Sequence, residues 1–306
     1  MRQFAFEFVG VCISNVKGYR MKKALFLVGD GDTGKSQILS LVQSLIGEGN
    51  SANLDLAEIE ARFGTGLIYG TRIIATGDMS FLTVKELKTF KKITGGDAIM
   101  GEFKGKQGFM YKYDGVLLFC MNRLPKFGGD DGQWVYDRII VINCPNVIPK
   151  DKQDKSLLDK MYAEREGIVY KAVNALQTVI KNGYRFSEPS SVIEARDQYR
   201  DTNNSIICFF NECMVACNSG SKAATTSKVF KAYKLWCEDN NNRYFKPAKE
   251  FREVLARYLD IYEKDLVKHM KYGNVFNGYT LSEETIKEYR LYDLYDYDDD
   301  VNEDEE

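Results

Sequence analysis

The chain has 306 residues, 42 Lys and Arg against 44 Asp and Glu, and 44% hydrophobic residues. That length suits about two domains with a real core, and the composition excludes wholesale disorder. No apolar run reaches the roughly 20 residues of a membrane helix, the N-terminus lacks a signal-peptide pattern, and a single histidine, His269, excludes His-rich metal sites and argues against Ser-His or Cys-His catalysis.

The formal charge of −2 is a sum of opposed parts. Nine acidic and no basic residues fall between Leu291 and Glu306, leaving 42 basic against 35 acidic residues, or +7, in the body. Such a tail either competes with nucleic acid for the basic body or is a solvated device for solubility. Seven cysteines without paired spacing predict free thiols in a reducing, cytoplasmic setting. Cys213 and Cys217 are four apart and share a face of one predicted helix, where thiols act as small hydrophobes. With Cys208 they would make only three zinc ligands, and no second pair supplies a fourth.

In chain order, Phe4 to about Val16 predicts a short helical lead-in within residues 1–20. Ala24–Val28 is a buried-strand pattern, and Ile38 to Ile46 has the spacing of an amphipathic helix ended by Gly47. Arg72–Thr76, Val116–Cys120 and Ile139–Ile142 are short continuous apolar runs, as expected for a parallel sheet covered on both faces. Val84 to Ile93 reads as a helix between them. Residues 21–150 therefore predict one α/β domain. Helices over Ser156–Ile180 and Ser191–Tyr199 make residues 151–204 a connector, with a hinge at Asn203–Ser205. Residues 205–290 predict a mainly helical second domain, and 291–306 a disordered tail.

Between the first strand and its helix lies Gly29-Asp-Gly-Asp-Thr-Gly34-Lys35-Ser36, a complete P-loop signature in its required context. Glycines let successive N–H groups face phosphate oxygens, and the helix N-terminus adds positive potential. Gly29, Gly31, Thr33, Gly34, Lys35 and Ser36 are the expected nucleotide-binding residues, with Lys35 on the β/γ-phosphates and Ser36 on Mg²⁺. Asp30 and Asp32 would repel phosphate and are expected to face solvent. Asp78, ending the second apolar run, is either the magnesium-organising carboxylate or a Gly-Asp turn residue. Asn122, at the tip of the third, is placed to orient an attacking water or to form a turn before Pro125. Arg138 either pairs with Asp137 or reaches a neighbouring subunit's nucleotide.

These residues, together with Phe90-Lys-Lys-Ile-Thr-Gly-Gly-Asp97, Asn122-Arg-Leu-Pro125 and Asp137-Arg138-Ile-Ile, resemble the superfamily 3 helicases. More closely, the chain is similar to the ATPase part of phage and plasmid primase–helicases and of the poxvirus nucleoside-triphosphatase primase. The resemblance covers Phe4 to Pro145 and extends weakly through Val229–Cys237, which is similar to helix patterns of the family's winged-helix domain. It implies a P-loop, AAA+-like α/β core with a parallel sheet, followed by a mainly α winged-helix-like domain. It also implies ATP and Mg²⁺ as cofactors, a homo-oligomeric ring, expected as a hexamer, and single-stranded DNA in its channel. Lys35 and Ser36 take phosphate and Mg²⁺, Asp78 is the Walker B acid, Asn122 the sensor and Arg138 the finger from the adjacent subunit. The single acid after Gly77 departs from a pattern that often ends in Glu or carries two acids, leaving the water-activating group open. No primase domain is recognisable upstream, as in a stand-alone helicase or a fragment of a longer replication protein.

The family's channel hairpin matches Ile99–Tyr113, with Lys104 and Lys106 at its tip to track phosphates and Phe103 or Phe109 to stack bases. Lys88, Lys91 and Lys92 add a basic helix before it. In the C-terminal domain, helices over Thr226–Glu238 and Lys246–Tyr258 precede Gly273–Gly278, which reads as a turn between wing strands. Lys222, Lys228, Lys231, Lys234, Arg243, Lys246, Lys249, Arg252 and Arg257 make this region basic, suiting a groove of origin duplex DNA or a protein-binding module. The expected function is an ATP-dependent DNA helicase of phage or plasmid replication in a bacterial host cytoplasm. The alternatives are an origin-binding or loading ATPase that uses ATP as an assembly switch and, ranked last, a P-loop kinase.

Overall fold

The computed structural model describes residues 1–79, 83–84, 87–127, 133–218, 223–240 and 245–292. The chain forms two compact units, Met1–Arg200 and Asp201–Glu306. The acidic tail beyond Tyr292, Lys222 and Arg243 lie outside the described residues. No helix among the described residues is long and apolar enough to cross a membrane.

The first unit is built on a parallel sheet of β1 (Ala24–Val28), β2 (Ser51–Asn53), β3 (Ile73–Met79), β7 (Val116–Met121) and β9 (Ile139–Asn143), in the order β2-β3-β7-β1-β9. Leu25 of β1 lies between Leu118 and Ile140 of its neighbours. Alternate residues serve opposite layers. Phe26, Ile74, Phe119 and Val141 join one core cluster, and Leu25, Leu27, Ala75, Leu118 and Ile140 join the other. This is why the runs are apolar without a gap, as the sequence predicts. β2, with the sequence Ser-Ala-Asn, carries no such run and was not expected.

The second layer is closed by α1 (Arg2–Ile13), α2 (Lys35–Ile46) and α8 (Arg165–Lys181). Phe4, Phe8, Val11 and Cys12 of α1 are buried, so the predicted lead-in is a core helix. Arg72 fastens it, donating to the carbonyls of Cys12 (3.1 Å), Val16 (2.7 Å) and Asp114 (2.7 Å). The opposite layer holds α3 (Leu56–Glu60), α4 (Gly64–Leu67) and α5 (Lys88–Gly95). The helix predicted from Val84 starts four residues later. Thr83–Val84 is instead β4, paired in parallel with β8 (Lys126–Phe127). Glu60 sets the α5 start by accepting from the backbone N–H of Thr89 (2.8 Å) and Phe90 (2.9 Å), both free donors of a first turn.

β5 (Ala98–Gly101) and β6 (Phe109–Lys112) form the antiparallel hairpin expected around Lys104–Lys106. Short α6 (Gln133–Tyr136) precedes β9. The helix predicted over Ser156–Ile180 is two, α7 (Leu157–Ala163) and α8, broken at Glu164. α9 (Ser190–Asn203) places Tyr199, whose hydroxyl donates to the Pro125 carbonyl (2.6 Å) and whose ring packs on Phe127 and Tyr136.

In the second unit, α10 (Ser205–Cys213) is capped by Asn204, which accepts from the Ile206 N–H (3.0 Å). β10 (Met214–Ala216), α11 (Thr226–Asp239), α12 (Ala248–Tyr258), α13 (Glu263–Leu266), β11 (Val267–Met270), β12 (Gly273–Phe276), β13 (Tyr279–Leu281) and α14 (Glu283–Glu288) follow. Val229, Ala232, Tyr233, Trp236 and Cys237 are the buried stripe of α11, at helical spacing, and Phe209, Phe251 and Leu255 meet them.

Two expectations are corrected here. Cys213 and Cys217 do not share a helix: Met214 is extended, β10 pairs with β13, and Cys217 lies beyond it. Gly273–Phe276 is not a turn but strand β12, paired with β11. Lys271–Tyr272 and Asn277–Gly278 connect the strands, and Gly278 has φ +80°.

Candidate functional site

At the C-terminal end of β1 the chain turns through Gly29–Gly34 into α2. Gly29 packs so tightly on the chain just after β9 that a Cβ there would lie 2.2 Å from the Cys144 carbonyl oxygen. Gly34 caps α2 at φ +84°, a left-handed conformation that favours glycine. Lys35 is buried, and its ammonium donates to the carbonyls of Gly29 and Asp30 (2.7 Å each) and to Thr33 Oγ1 (3.1 Å). The loop thus curls around a positive charge. Asp30 and Asp32 are exposed, as expected, but Asp32 also lines the cavity described below.

Ser36 Oγ lies 3.4 Å from the Gly77 carbonyl of β3. The next residue, Asp78, is exposed at a break in the β3–β7 register between Thr76 and Met79. Asn122 directly follows β7. A cavity of about 520 Å³ brings together Gly31, Thr33, Gly34, Lys35, Ser36, Asp78 and Asn122. Three elements far apart in sequence therefore meet at one end of the parallel sheet, where such sheets hold ligands. Cys120, behind the cavity, has its thiol pushed up to about 12 by burial, against the pull of Lys35.

The far wall is absent from the sequence reading. Ile148, Gln153, Asp154, Lys155 and Leu157 line it. The Ile148 N–H donates to the Asp32 carbonyl (2.9 Å), tying this strap to the loop. Asp154 is held near 2 by Lys160 (2.6 Å) and by the Ser156 hydroxyl and N–H. No motif marks the strap, because a loop wall needs shape rather than a fixed residue pattern.

Arg138 is not part of this cavity. Its carbonyl accepts from the Ala24 N–H (2.8 Å), at the N-terminal end of β1. The five residues of β1, at about 3.3 Å each, separate that end from Gly29 by roughly 17 Å. The guanidinium lies over the Trp134 ring, 5.1 Å from its centroid, and Lys91 lies over the same ring at 4.7 Å. Burial lowers the Arg138 pKa, while Asp97 and Asp137 oppose that shift. Its Nη1 is buried with no hydrogen-bond partner among the described residues.

The Thr-Gly-Gly-Asp motif delivers Asp97 to this place. The Thr94 hydroxyl donates to the Phe90 carbonyl (2.7 Å), and Gly96, at φ +78°, ends α5 against the Tyr19 ring, where a Cβ would sit 2.7 Å from a ring carbon.

On the hairpin, Lys104 and Lys106 are exposed. Phe103 is half-buried and stacks on Phe109 (5.5 Å), which also meets Tyr69 (4.7 Å). Both phenyl rings are thus engaged with neighbouring aromatic rings. Of the α5 lysines, Lys88 and Lys91 are exposed and Lys92 is half-buried. In the second unit Lys231, Lys249, Arg252 and Arg257 are exposed, while Lys234 lies between Phe230 and Phe245 and Lys246 pairs with Glu250 (3.5 Å).

Residues 27–138 match DUF5906, a family of unknown function, and residues 201–295 match the poxvirus D5 protein-like family. The poxvirus D5-like match agrees with the resemblance to superfamily 3 helicases and primase–helicases read from the sequence. Among solved structures, it is similar to the apo C-terminal region of NrS-1 at 13% identity and TM-score 0.47, covering 69% of this chain and 52% of that one. A second NrS-1 structure gives 13% and 0.45, covering 90% and 70%. JCV helicase bound to a thiazolopyridine acetamide gives 14% and 0.33, covering 69% and 66%. The chain spans about half the length of the first NrS-1 structure, 52%. At these scores the structural likenesses add no functional argument.

Proposed function

We propose that the chain is an ATP-dependent DNA helicase or translocase of phage or plasmid replication, with an AAA+-like core. The observation that carries this is the single cavity joining Lys35 and Ser36 to Asp78 and Asn122 at the ends of β1, β3 and β7. The sheet order, with the P-loop strand between β7 and β9, supports it.

The residues fit ATP with Mg²⁺. A hydroxyl and an exposed carboxylate are oxygen ligands of the kind a hard cation takes, and they stand beside a buried ammonium. Ser36 and Asp78 would hold the magnesium ion, which supplies charge neutralisation at the β- and γ-phosphates. Lys35 exchanges its loop carbonyls for phosphate oxygens, and the backbone of Gly31–Gly34 binds the anion. Asn122 orients the attacking water from the tip of β7. Arg138, on the opposite end of the sheet, serves the nucleotide of an adjacent subunit in a ring, expected as a hexamer.

Single-stranded DNA passes the hairpin, where Lys104 and Lys106 track its phosphates beside Lys91 and Lys92. The second unit runs helix, strand, three helices, hairpin, strand and a last helix, and the strand–helices–hairpin–strand part supports a winged-helix-like reading. α12 with Lys249, Arg252 and Arg257 would face duplex DNA.

The test is phosphate release by the assembled protein with and without single-stranded DNA, and strand displacement on a forked duplex. Stimulation with displacement is expected. An assembled oligomer that shows no stimulation and no displacement sinks the helicase and leaves the loading or origin-binding ATPase.

A further inference from the structure

The hairpin presents two chemically different faces, because alternate residues of a strand point opposite ways. Ile99 and Gly101 of β5 and Phe109 and Tyr111 of β6 turn toward the body of the first unit. There the Phe109 ring lies across Gly101, where a Cβ would sit 2.6 Å from a ring carbon, and the Tyr111 hydroxyl donates to the Thr65 carbonyl. The Thr65 hydroxyl in turn donates to the Met100 carbonyl (2.7 Å), fixing the hairpin's pose.

The other face carries Met100 and Met110, directly opposite each other in the register and 60% and 62% exposed. Cross-strand partners lie within about 5.5 Å at Cβ, so the two thioethers form one apolar surface. Its charged neighbours are the exposed Lys104, Lys106 and Lys112. The hairpin's carboxylate, Glu102, is engaged by Arg62 at 2.8 Å. An apolar pair on a hairpin that also exposes three lysines fits a ligand that alternates anionic groups with flat apolar faces, which is the chemistry of a nucleic acid single strand. Methionine adapts to faces of any shape, as a sequence-tolerant contact requires.

We infer that Met100 and Met110 are the base-contacting residues of the hairpin, while Lys104 and Lys106 hold the backbone and the ring of Phe103 supports the tip from within. This rests on the proposal that the hairpin binds single-stranded DNA, and it replaces the expected stacking by phenylalanine. An apolar contact and a phosphate contact differ in salt dependence, since only the latter releases counterions.

The experiment measures binding of fluorescent oligo(dT) to the full chain with a non-hydrolysable ATP analogue across a salt series. Met100→Gln with Met110→Gln keeps side-chain length and removes apolarity. It is expected to weaken binding about tenfold with the wild-type salt slope. Lys104→Ala with Lys106→Ala is expected to flatten the slope by about 1.4. A methionine variant with wild-type affinity beside a flattened lysine variant overturns the inference alone. No change in either variant removes the hairpin from DNA binding altogether. Peroxide footprinting of the wild-type chain adds a second readout, because oligo(dT) is expected to protect both thioethers from sulfoxide formation. Protection on assembly without oligo(dT) would assign the pair to a contact between copies of the chain and overturn the inference.

Discussion

Lys35→Met isolates the charge at the centre of the cavity. Methionine has a similar length and no charge, so the loop keeps its filling but loses the ammonium that Gly29, Asp30 and Thr33 surround. In the nucleotide-free protein the loss is of hydrogen bonds from a charged donor, costing about 1–2 kcal/mol after the loop carbonyls meet water. For a unit of this size that lowers the melting temperature by about 2–8 °C. With ATP the loss is larger. A unit charge about 4 Å from phosphate oxygen contributes about 4 kcal/mol at an effective dielectric of 20, or roughly a thousandfold in rate if expressed in the transition state. Phosphate release at saturating ATP and Mg²⁺ should fall at least that far, while the melting curve stays cooperative. Turnover within tenfold of wild type, in a variant that still melts cooperatively, would refute the assignment of the loop as a phosphate site.

Asp78→Asn should remove Mg²⁺-dependent turnover by about a hundredfold or more while leaving metal-free nucleotide binding measurable by fluorescence; equal turnover would return Asp78 to a turn residue. Arg138→Ala and Lys35→Met chains, each inactive alone, should regain phosphate release when mixed, since some interfaces then pair an intact lysine with an intact arginine; no recovery in mixed oligomers refutes action between subunits. Burial pushes the Cys12 and Cys120 thiols up to about 12 and those of Cys213 and Cys237 to about 11, from 9.0. A raised thiol pKa contributes stability in full below pH 9 that is lost as pH rises toward 11–12; a melting temperature flat from pH 8.5 to 10.5 would contradict that burial. Truncation after Tyr292, which keeps the buried Leu291 and removes all nine acids, should tighten DNA binding at fixed salt if the acidic tail competes for the basic body, and unchanged affinity leaves the tail a solubility device.

The parts legible in the sequence were those set by short-range rules. The Gly29–Ser36 loop is a contiguous stretch of backbone, and its strand and helix are marked by apolar period. β7 and β9 were legible because both of their faces are covered. β2 was not, because an edge strand of Ser-Ala-Asn buries only Ala52 fully. Cys217 was misplaced because helical spacing continued through Met214, where pairing with Leu281 of β13 wins over local propensity. The strap from Ile148 to Leu157 left no trace, since it reaches the cavity through tertiary contacts, among them the backbone tie to Asp32, that no local pattern encodes. The hairpin's register was visible in outline, yet which residues faced outward depended on Thr65 and Tyr69, more than thirty residues upstream of Phe103 and Phe109.

Two of the sequence signals, Thr94-Gly-Gly-Asp97 and Asp137-Arg138, turn out to describe one place. Gly96 must be left-handed to end α5 against Tyr19, and only then does Asp97 come within the electrostatic reach of Arg138. Trp134 and Lys91 complete the cluster from two further elements. This assembly stands at the end of the sheet opposite the P-loop, so it contributes nothing to the cavity of its own chain. A guanidinium half-buried on an aromatic face, with Nη1 unpartnered, is costly to keep unless something outside the chain uses it. Under the proposed function, that user would be a phosphate presented by the Gly29–Ser36 end of a second copy. The mixed-oligomer experiment distinguishes that use from a purely structural cluster, which no second chain could rescue.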